Sequence, residues 1–196
     1  AGMMSFSLHD LGCDAYATSG HKWMLGPKET GLLYVRKEML DVIEPKMVGA
    51  YSGSGFDLAK RWMDFVPAAQ RYEYGTVSIP LRFGLGAAID FLQKIGMENI
   101  WKRDQALSTR LFVGLKSIPY VKVLSPESTT ERSALITFKH DKVPYLDLQN
   151  HLTTYKLRTR GVGEGGVDGL RISTHLYNSP EEVDRVLEAV KTAYKG

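Results

Sequence analysis

The chain has one cysteine, Cys13, so it cannot form an internal disulfide, and a reducing, cytoplasmic setting is the expected one. No apolar run approaches the roughly 20 residues of a membrane-spanning helix, and no signal-peptide pattern is visible at the start. Charge is nearly balanced: 25 basic against 22 acidic side chains leave +3, scattered along the chain, too little to mark a nucleic-acid surface. The five histidines (His9, His21, His140, His151 and His175) are dispersed, and none forms a metal pair at helical spacing with a carboxylate. Repeats and low-complexity stretches are missing as well. What is there is an ordinary globular composition, 43% hydrophobic and 24% charged over 196 residues, enough for one large or two small domains.

Local patterns order the chain. Asp14–Thr18 and Gly31–Val35 read as short buried strands, and Lys37–Ile43 as a short helix ended before Pro45. Gly49–Gly55 reads as a flexible loop. Ile79–Ile95 is an apolar helix, and Met97–Ile118 an amphipathic one with Ile100, Trp101, Leu107, Leu111 and Leu115 on a core stripe. Strands are predicted at 121–124, 134–138, 156–159 and 170–173, with a helix over 144–153 started by Pro144. Ser179, Pro180 and Glu182 form a helix-start signature, and Val183, Val186, Leu187 and Val190 line one face of the helix that follows. Mixed strands and helices predict an α/β chain with a small α+β layer at its C-terminal end.

The most pointed segment is Ser19-Gly20-His21-Lys22-Trp23-Met24-Leu25-Gly26-Pro27, set between the first two strands. A lysine amine in a tight Gly/Pro-bounded loop can attack an aldehyde when it loses its proton, and pyridoxal phosphate is the common biological aldehyde of this kind. Ser19 and His21 flank it and could bond phosphate oxygens. Residue chemistry alone fits a surface lysine beside a turn equally well.

The segment from Asp14 to Val35 resembles the cofactor-lysine signature of class V aminotransferases, a branch of the fold-type I pyridoxal-phosphate enzymes. Glu73-Tyr74-Gly75-Thr76 resembles a second family motif, and Leu170-Arg171-Ile172-Ser173-Thr174-His175-Leu176-Tyr177-Asn178 a third, in the family's order. The resemblance implies that Lys22 carries the cofactor as an imine and that Ser19 and His21 bind its phosphate. It implies that Thr76 reaches the phosphate of a neighbouring subunit, hence a homodimer with shared sites. It further implies that Arg171 binds the substrate carboxylate, a task suited to a planar guanidinium. Locally, Thr76 also reads as a helix-start hydroxyl, Arg171 as an exposed strand arginine, Tyr51 as a loop aromatic and Cys13 as a small buried residue.

With the family as guide, residues 1–95 are the end of a large cofactor-binding domain with a mixed, mainly parallel sheet. Residues 96–196 are then a small C-terminal domain with its linking helix. The chain is expected to begin in mid-domain and to cover about the C-terminal half of a longer enzyme. The aspartate that family members pair with the ring nitrogen lies upstream of its first residue. The segment alone is therefore expected to be inactive, and the intact parent to be an enzyme.

Gly161-Val162-Gly163-Glu164-Gly165-Gly166 satisfies the dinucleotide glycine pattern, but a strand follows where that motif needs a helix, so the stretch reads as a mobile loop near Arg171. Desulfurases of the family carry a nucleophilic cysteine in the matching stretch. Here Arg158–Gly169 contains Arg158, Arg160 and Glu164 but no cysteine. On that ground the sequence points to an aminotransferase or epimerase acting on an amino acid, closer to isopenicillin N epimerase-like members. The alternatives are a cysteine desulfurase or selenocysteine lyase type of C–S or C–Se lyase, and a non-catalytic half serving dimerisation.

Overall fold

The computed structural model describes residues 1–194. The chain divides into two compact units, Ala1–Ile95 and Gly96–Gly196. Among the described residues, every strand pairing is antiparallel, so the parallel strands implied by the family resemblance are not among those of this chain. A parallel pair needs a crossover of a dozen or more residues, usually a helix, and the strand pairs of the first unit are joined by loops instead.

In the first unit, turns over 8–12 lead into β1 (Ala15–Ser19), which pairs with β2 (Gly31–Val35) from Ala15↔Val35 to Ser19↔Gly31. The expected burial of these strands is not met: Leu32 and Leu33 are 47% and 48% exposed. A two-stranded ribbon has two faces to cover, and a single short 3-10 turn at Ala69–Tyr72 packs substantially on β2. The expected loop over 49–55 is partly strand. Gly53–Asp57 (β3) pairs with Trp62–Phe65 (β4), with an irregular register between Gly53 and Gly55. Glycine is depleted in strands, so its density hid a hairpin held by cross-strand pairing. Buried Arg71 ties the unit together, donating Nε to the Val66 carbonyl at 2.7 Å and Nη1 to the Leu40 carbonyl at 2.6 Å. Helix α1 (Ile79–Ile95) has the predicted bounds and buries Leu85 and Leu92. A Cβ on its Gly84 would lie 2.6 Å from Cγ of Pro27, so glycine is what lets the lysine loop rest on the helix.

The second unit has two layers. Its sheet runs in the order β5 (Val121–Val123), β6 (Leu135–His140), β8 (Gly169–Ser173), β7 (Arg160–Val162). Helices α2 (Met97–Lys116), α3 (Tyr145–Thr154) and α4 (Pro180–Lys191) pack on one face. The α2 residues Leu107, Leu111 and Leu115 meet Ile136, Phe138, Leu170 and Ile172 of the sheet and Val183, Val186 and Val190 of α4. Trp101 of the predicted stripe is only half buried. Strand alternation puts Thr137, Arg160 and Arg171 together on the opposite face, with Arg171 in register with both of the others. The strand expected at 156–159 lies four residues later, because Lys156 (φ 59°) turns the chain out of α3 first. Helix α4 starts as predicted: the Glu182 N–H donates to Ser179 Oγ at 3.2 Å, and the Ser179 N–H donates to Glu182 Oε2 at 3.0 Å.

Candidate functional site

Ser19, His21 and Lys22 lie together on one loop, at the end of β1. The loop closes on itself: the Gly20 N–H donates to the Thr30 carbonyl at 2.8 Å, Leu25 N–H to Lys22 O at 3.0 Å, and Gly26 N–H to Gly20 O at 2.9 Å. Thr30 Oγ1 adds a bond to the Pro27 carbonyl at 2.6 Å. A Cβ at Gly20 would meet Thr30 Oγ1 at 2.4 Å and Leu85 Cδ1 at 2.8 Å, so a side chain there would push the loop off α1. Leu25 (φ 57°) and Glu29 (φ 66°) hold left-handed backbone without being glycine, a cost the closed loop imposes. Gly20 is buried, Ser19 half-buried, and His21 and Lys22 are exposed.

The donors on this loop are unspent. Among the described residues, the side chains of Ser19, His21 and Lys22 have no hydrogen-bond or ion-pair partner, so a hydroxyl, an imidazole and a primary amine stand together on one closed turn. That set suits a phosphate beside an aldehyde.

Thr76 lies apart from the loop, on the stretch before α1. With Tyr51, Glu73, Arg82, Leu32 and Leu33 it lines a cleft of about 1010 Å³ within the first unit; Ser19, His21 and Lys22 are not among its lining residues. Glu73 is held by Arg82 at 2.9 Å, which fixes the Glu-Tyr-Gly-Thr turn against α1. Cys13 is half-buried and its Sγ donates to the Ala15 carbonyl at 3.1 Å.

Arg171 is in the second unit, on the open face of the sheet. It is half-buried, and its Nε is buried with no hydrogen-bond partner among the described residues. A buried guanidinium N–H with no acceptor is costly, and an incoming carboxylate would relieve it. Arg160 stands directly opposite on β7. It bonds Glu164 Oε1 at 2.5 Å. The Glu164 carboxyl is held below its usual range by its own backbone N–H first, then by Arg160, with a weaker pull from Arg171. Sequence patterns did not single out Arg160 as a neighbour of Arg171, since the pairing depends on the shifted start of β7.

The turn after β8 is organised by Asn178. The His175 N–H donates to Asn178 Oδ1, the Asn178 N–H donates back to the His175 carbonyl, and Arg103 Nη2 donates to the Asn178 carbonyl, each at 2.8 Å. The Asn of the late motif is thus a turn-former, and Tyr177 is 67% exposed.

Among the described residues no group of histidine, cysteine and acidic side chains could hold a metal ion, and no helix is long and apolar enough to cross a membrane.

Several known proteins are similar to this chain. A probable cysteine desulfurase 2 of Mycobacterium leprae is 34% identical over 197 residues, covering 95% of this chain and 46% of that protein. The apo structure of a cysteine desulfurase from Thermococcus onnurineus NA1 matches with a TM-score of 0.87 at 26% identity, covering 97% of this chain and 49% of that one. A cystine C–S lyase solved with its reaction product, cysteine persulfide, matches with a TM-score of 0.85 at 27% identity, covering 98% and 50%. A lysine-to-alanine mutant of the lyase carries glycine covalently linked to its PLP cofactor. The chain spans about half the length of the curated relatives it matches. These relatives are desulfurases and a lyase, where the sequence patterns leaned to an aminotransferase or epimerase. The aminotransferase class-V family model matches residues 1–186, and the chain belongs to that family.

Proposed function

We propose that the protein containing this chain is a pyridoxal-phosphate enzyme that cleaves the C–S bond of a cysteine- or cystine-type amino acid. The observation that carries the reading is the unspent donor set on the Lys22 loop, in a family member whose relatives are named for C–S chemistry. When bound, the cofactor supplies an aldehyde that holds the amino group and an electron sink for the bonds at Cα.

The chain's own residues supply the rest. Ser19 and His21 bind the phosphate, and Thr76 serves the phosphate site of a second copy in a homodimer. Arg171 grips the substrate carboxylate with two parallel N–H donors, one of them the orphaned Nε. Lys22, free of the ion pairs that would hold its amine, moves the proton at Cα. The chain's single cysteine lies before β1 and bonds a nearby carbonyl, so elimination is favoured over sulfur transfer to an enzyme thiol. We place the enzyme in the cytoplasm on the strength of that free thiol.

The test is product analysis of the full-length protein with L-cysteine and L-cystine. Elimination gives pyruvate and ammonia with sulfide or a persulfide, and Lys22→Ala lowers the rate at least ~10³-fold. Alanine as the product would move the reading to a desulfurase. Keto-acid or D-amino-acid formation without sulfur release would return it to an aminotransferase or epimerase.

A further inference from the structure

A cavity of about 190 Å³ lies in the second unit, between α4 and the segment that joins α3 to β7. The sheet register accounts for it. The β7–β8 ladder ends at Arg160↔Arg171, so residues 156–159 run unpaired beside the last residues of β8 and leave a gap there. The segment is held all the same. The Leu157 N–H donates to the Leu152 carbonyl at 3.2 Å, and the Thr159 carbonyl accepts from Gln149 Nε2 at 2.9 Å. Strand alternation sets Ile172 on the helix-bearing face and Arg171 on the other, so the cavity lies across the sheet from Arg171.

The wall has two parts. Buried Leu111, Ile172, Val183 and Val186 form an apolar inner surface. Exposed Lys156, Arg158 and Arg185 bring three positive charges to the rim. Among the described residues, the side chains of Lys156 and Arg158 have no hydrogen-bond or ion-pair partner. Arg185 donates Nη2 to the Tyr155 carbonyl at 2.9 Å and makes no salt bridge. Other exposed cations of this unit do find carboxylates: Arg110 pairs with Asp184, Lys116 with Glu127 and Arg160 with Glu164. Glu182, the one acidic residue of the lining, is engaged already, accepting from Asn178 Nδ2 at 2.9 Å and from the Ser179 N–H at 3.0 Å. Those two bonds, Asn178 first, hold its carboxyl below the usual range, with a weaker pull from Arg185. Thr159 Oγ1 is buried in the wall with no partner among the described residues.

An apolar interior under a cationic rim matches a small organic anion with a hydrocarbon body. A bare phosphate would leave the inner wall uncovered, and a neutral hydrocarbon would leave the cations unpaired. A cavity of about 150 Å³ holds benzene, so this one takes roughly six to eight non-hydrogen atoms. We propose that the cavity binds a short aliphatic monocarboxylate of roughly four to six carbons. Its carboxylate sits among Lys156, Arg158 and Arg185, and its body lies against Leu111, Ile172, Val183 and Val186. The site is independent of the roles given to Lys22 and Arg171.

Methyl NMR of the 196-residue chain, titrated with isovalerate, tests the site. The methyl signals of Leu111, Ile172, Val183 and Val186 move together on one saturating curve with a Kd on the order of 1 mM, while those of Leu92 in the first unit stay still. Isovaleramide, the same shape without the charge, binds at least ~10-fold more weakly. The Arg158 side chain makes no bond in the fold, so Arg158→Gln leaves the unliganded spectrum intact. It raises the Kd roughly threefold to fivefold, and Arg158→Lys recovers most of the loss. Still methyls at ~50 mM isovalerate overturn the proposal. So does equal affinity for the amide, which would make the cavity purely apolar, or a Kd unchanged in Arg158→Gln. Tighter binding of inorganic phosphate overturns it in favour of a phosphate site, and tighter binding of L-valine in favour of a zwitterion held through Glu182.

Discussion

Replacing Asp104 with asparagine keeps the shape of the side chain and removes its ability to ionise. The carboxyl has a folded pKa of about 7 against an ordinary 3.8, because it is buried. The folded state therefore holds more protons than the unfolded state between those values, and stability falls as pH rises across that window. The contribution is fully present below about pH 4 and fully lost above about pH 7. Three units at ~1.36 kcal/mol each give ~4 kcal/mol, falling at ~1.4 kcal/mol per pH unit. Asp104→Asn lacks this slope. Its own amide is left without partners too, so the variant is no more stable than the parent at pH 4 and gains ~4 kcal/mol relative to it by pH 8. Hydrogen exchange of slow α2 amides such as Leu111 and Leu115, followed from pH 4 to 8, reads the second unit without interference from the first. Parallel stability curves for the two proteins, within ~0.5 kcal/mol, would refute a buried, unpaired and titrating Asp104.

Three further outcomes follow from the geometry. Gly20→Ala sets a Cβ 2.4 Å from Thr30 Oγ1 and 2.8 Å from Leu85 Cδ1, so it costs the first unit ~1–3 kcal/mol in chemical denaturation and weakens pyridoxal-phosphate uptake by the full-length enzyme. Glu164→Gln removes a negative charge that pairs Arg160 and acts weakly on Arg171, so KM for the amino acid drops roughly twofold to fivefold while kcat holds, measured by steady-state kinetics. Ser179→Ala breaks half of the capping box at α4 and lowers the stability of the second unit by ~1 kcal/mol, read by the same hydrogen exchange.

Much of the fold was legible because local signals agreed with tertiary ones. Helix α4 carries its cap, its proline and its apolar face in consecutive residues, and the structure shows all three. β2 and α1 have their predicted bounds since glycine and proline mark their edges. The β3–β4 hairpin was not legible, as Gly53-Ser54-Gly55 has loop composition and forms a strand through pairing with Trp62–Phe65. Nor was β7, whose position depends on the left-handed turn at Lys156. At the site, the Lys22 loop was readable as a motif, and the close approaches that enforce Gly20 were not. Arg160 was invisible as the cross-strand neighbour of Arg171, and so was the burial of Asp104, because register and burial belong to the folded sheet and helix. The weight placed on the missing loop cysteine favoured transamination or epimerisation. The relatives are desulfurases and a C–S lyase, which favours the alternative over that choice.

In the proposed function everything depends on Lys22 being the amine that holds pyridoxal phosphate. Borohydride reduction of the full-length protein with the cofactor, followed by peptide mass mapping, tests it most directly. One cofactor adduct is expected, on Lys22, lost in Lys22→Ala together with sulfur release from cysteine or cystine. An adduct on another lysine, or full sulfur-releasing activity in Lys22→Ala, would contradict it.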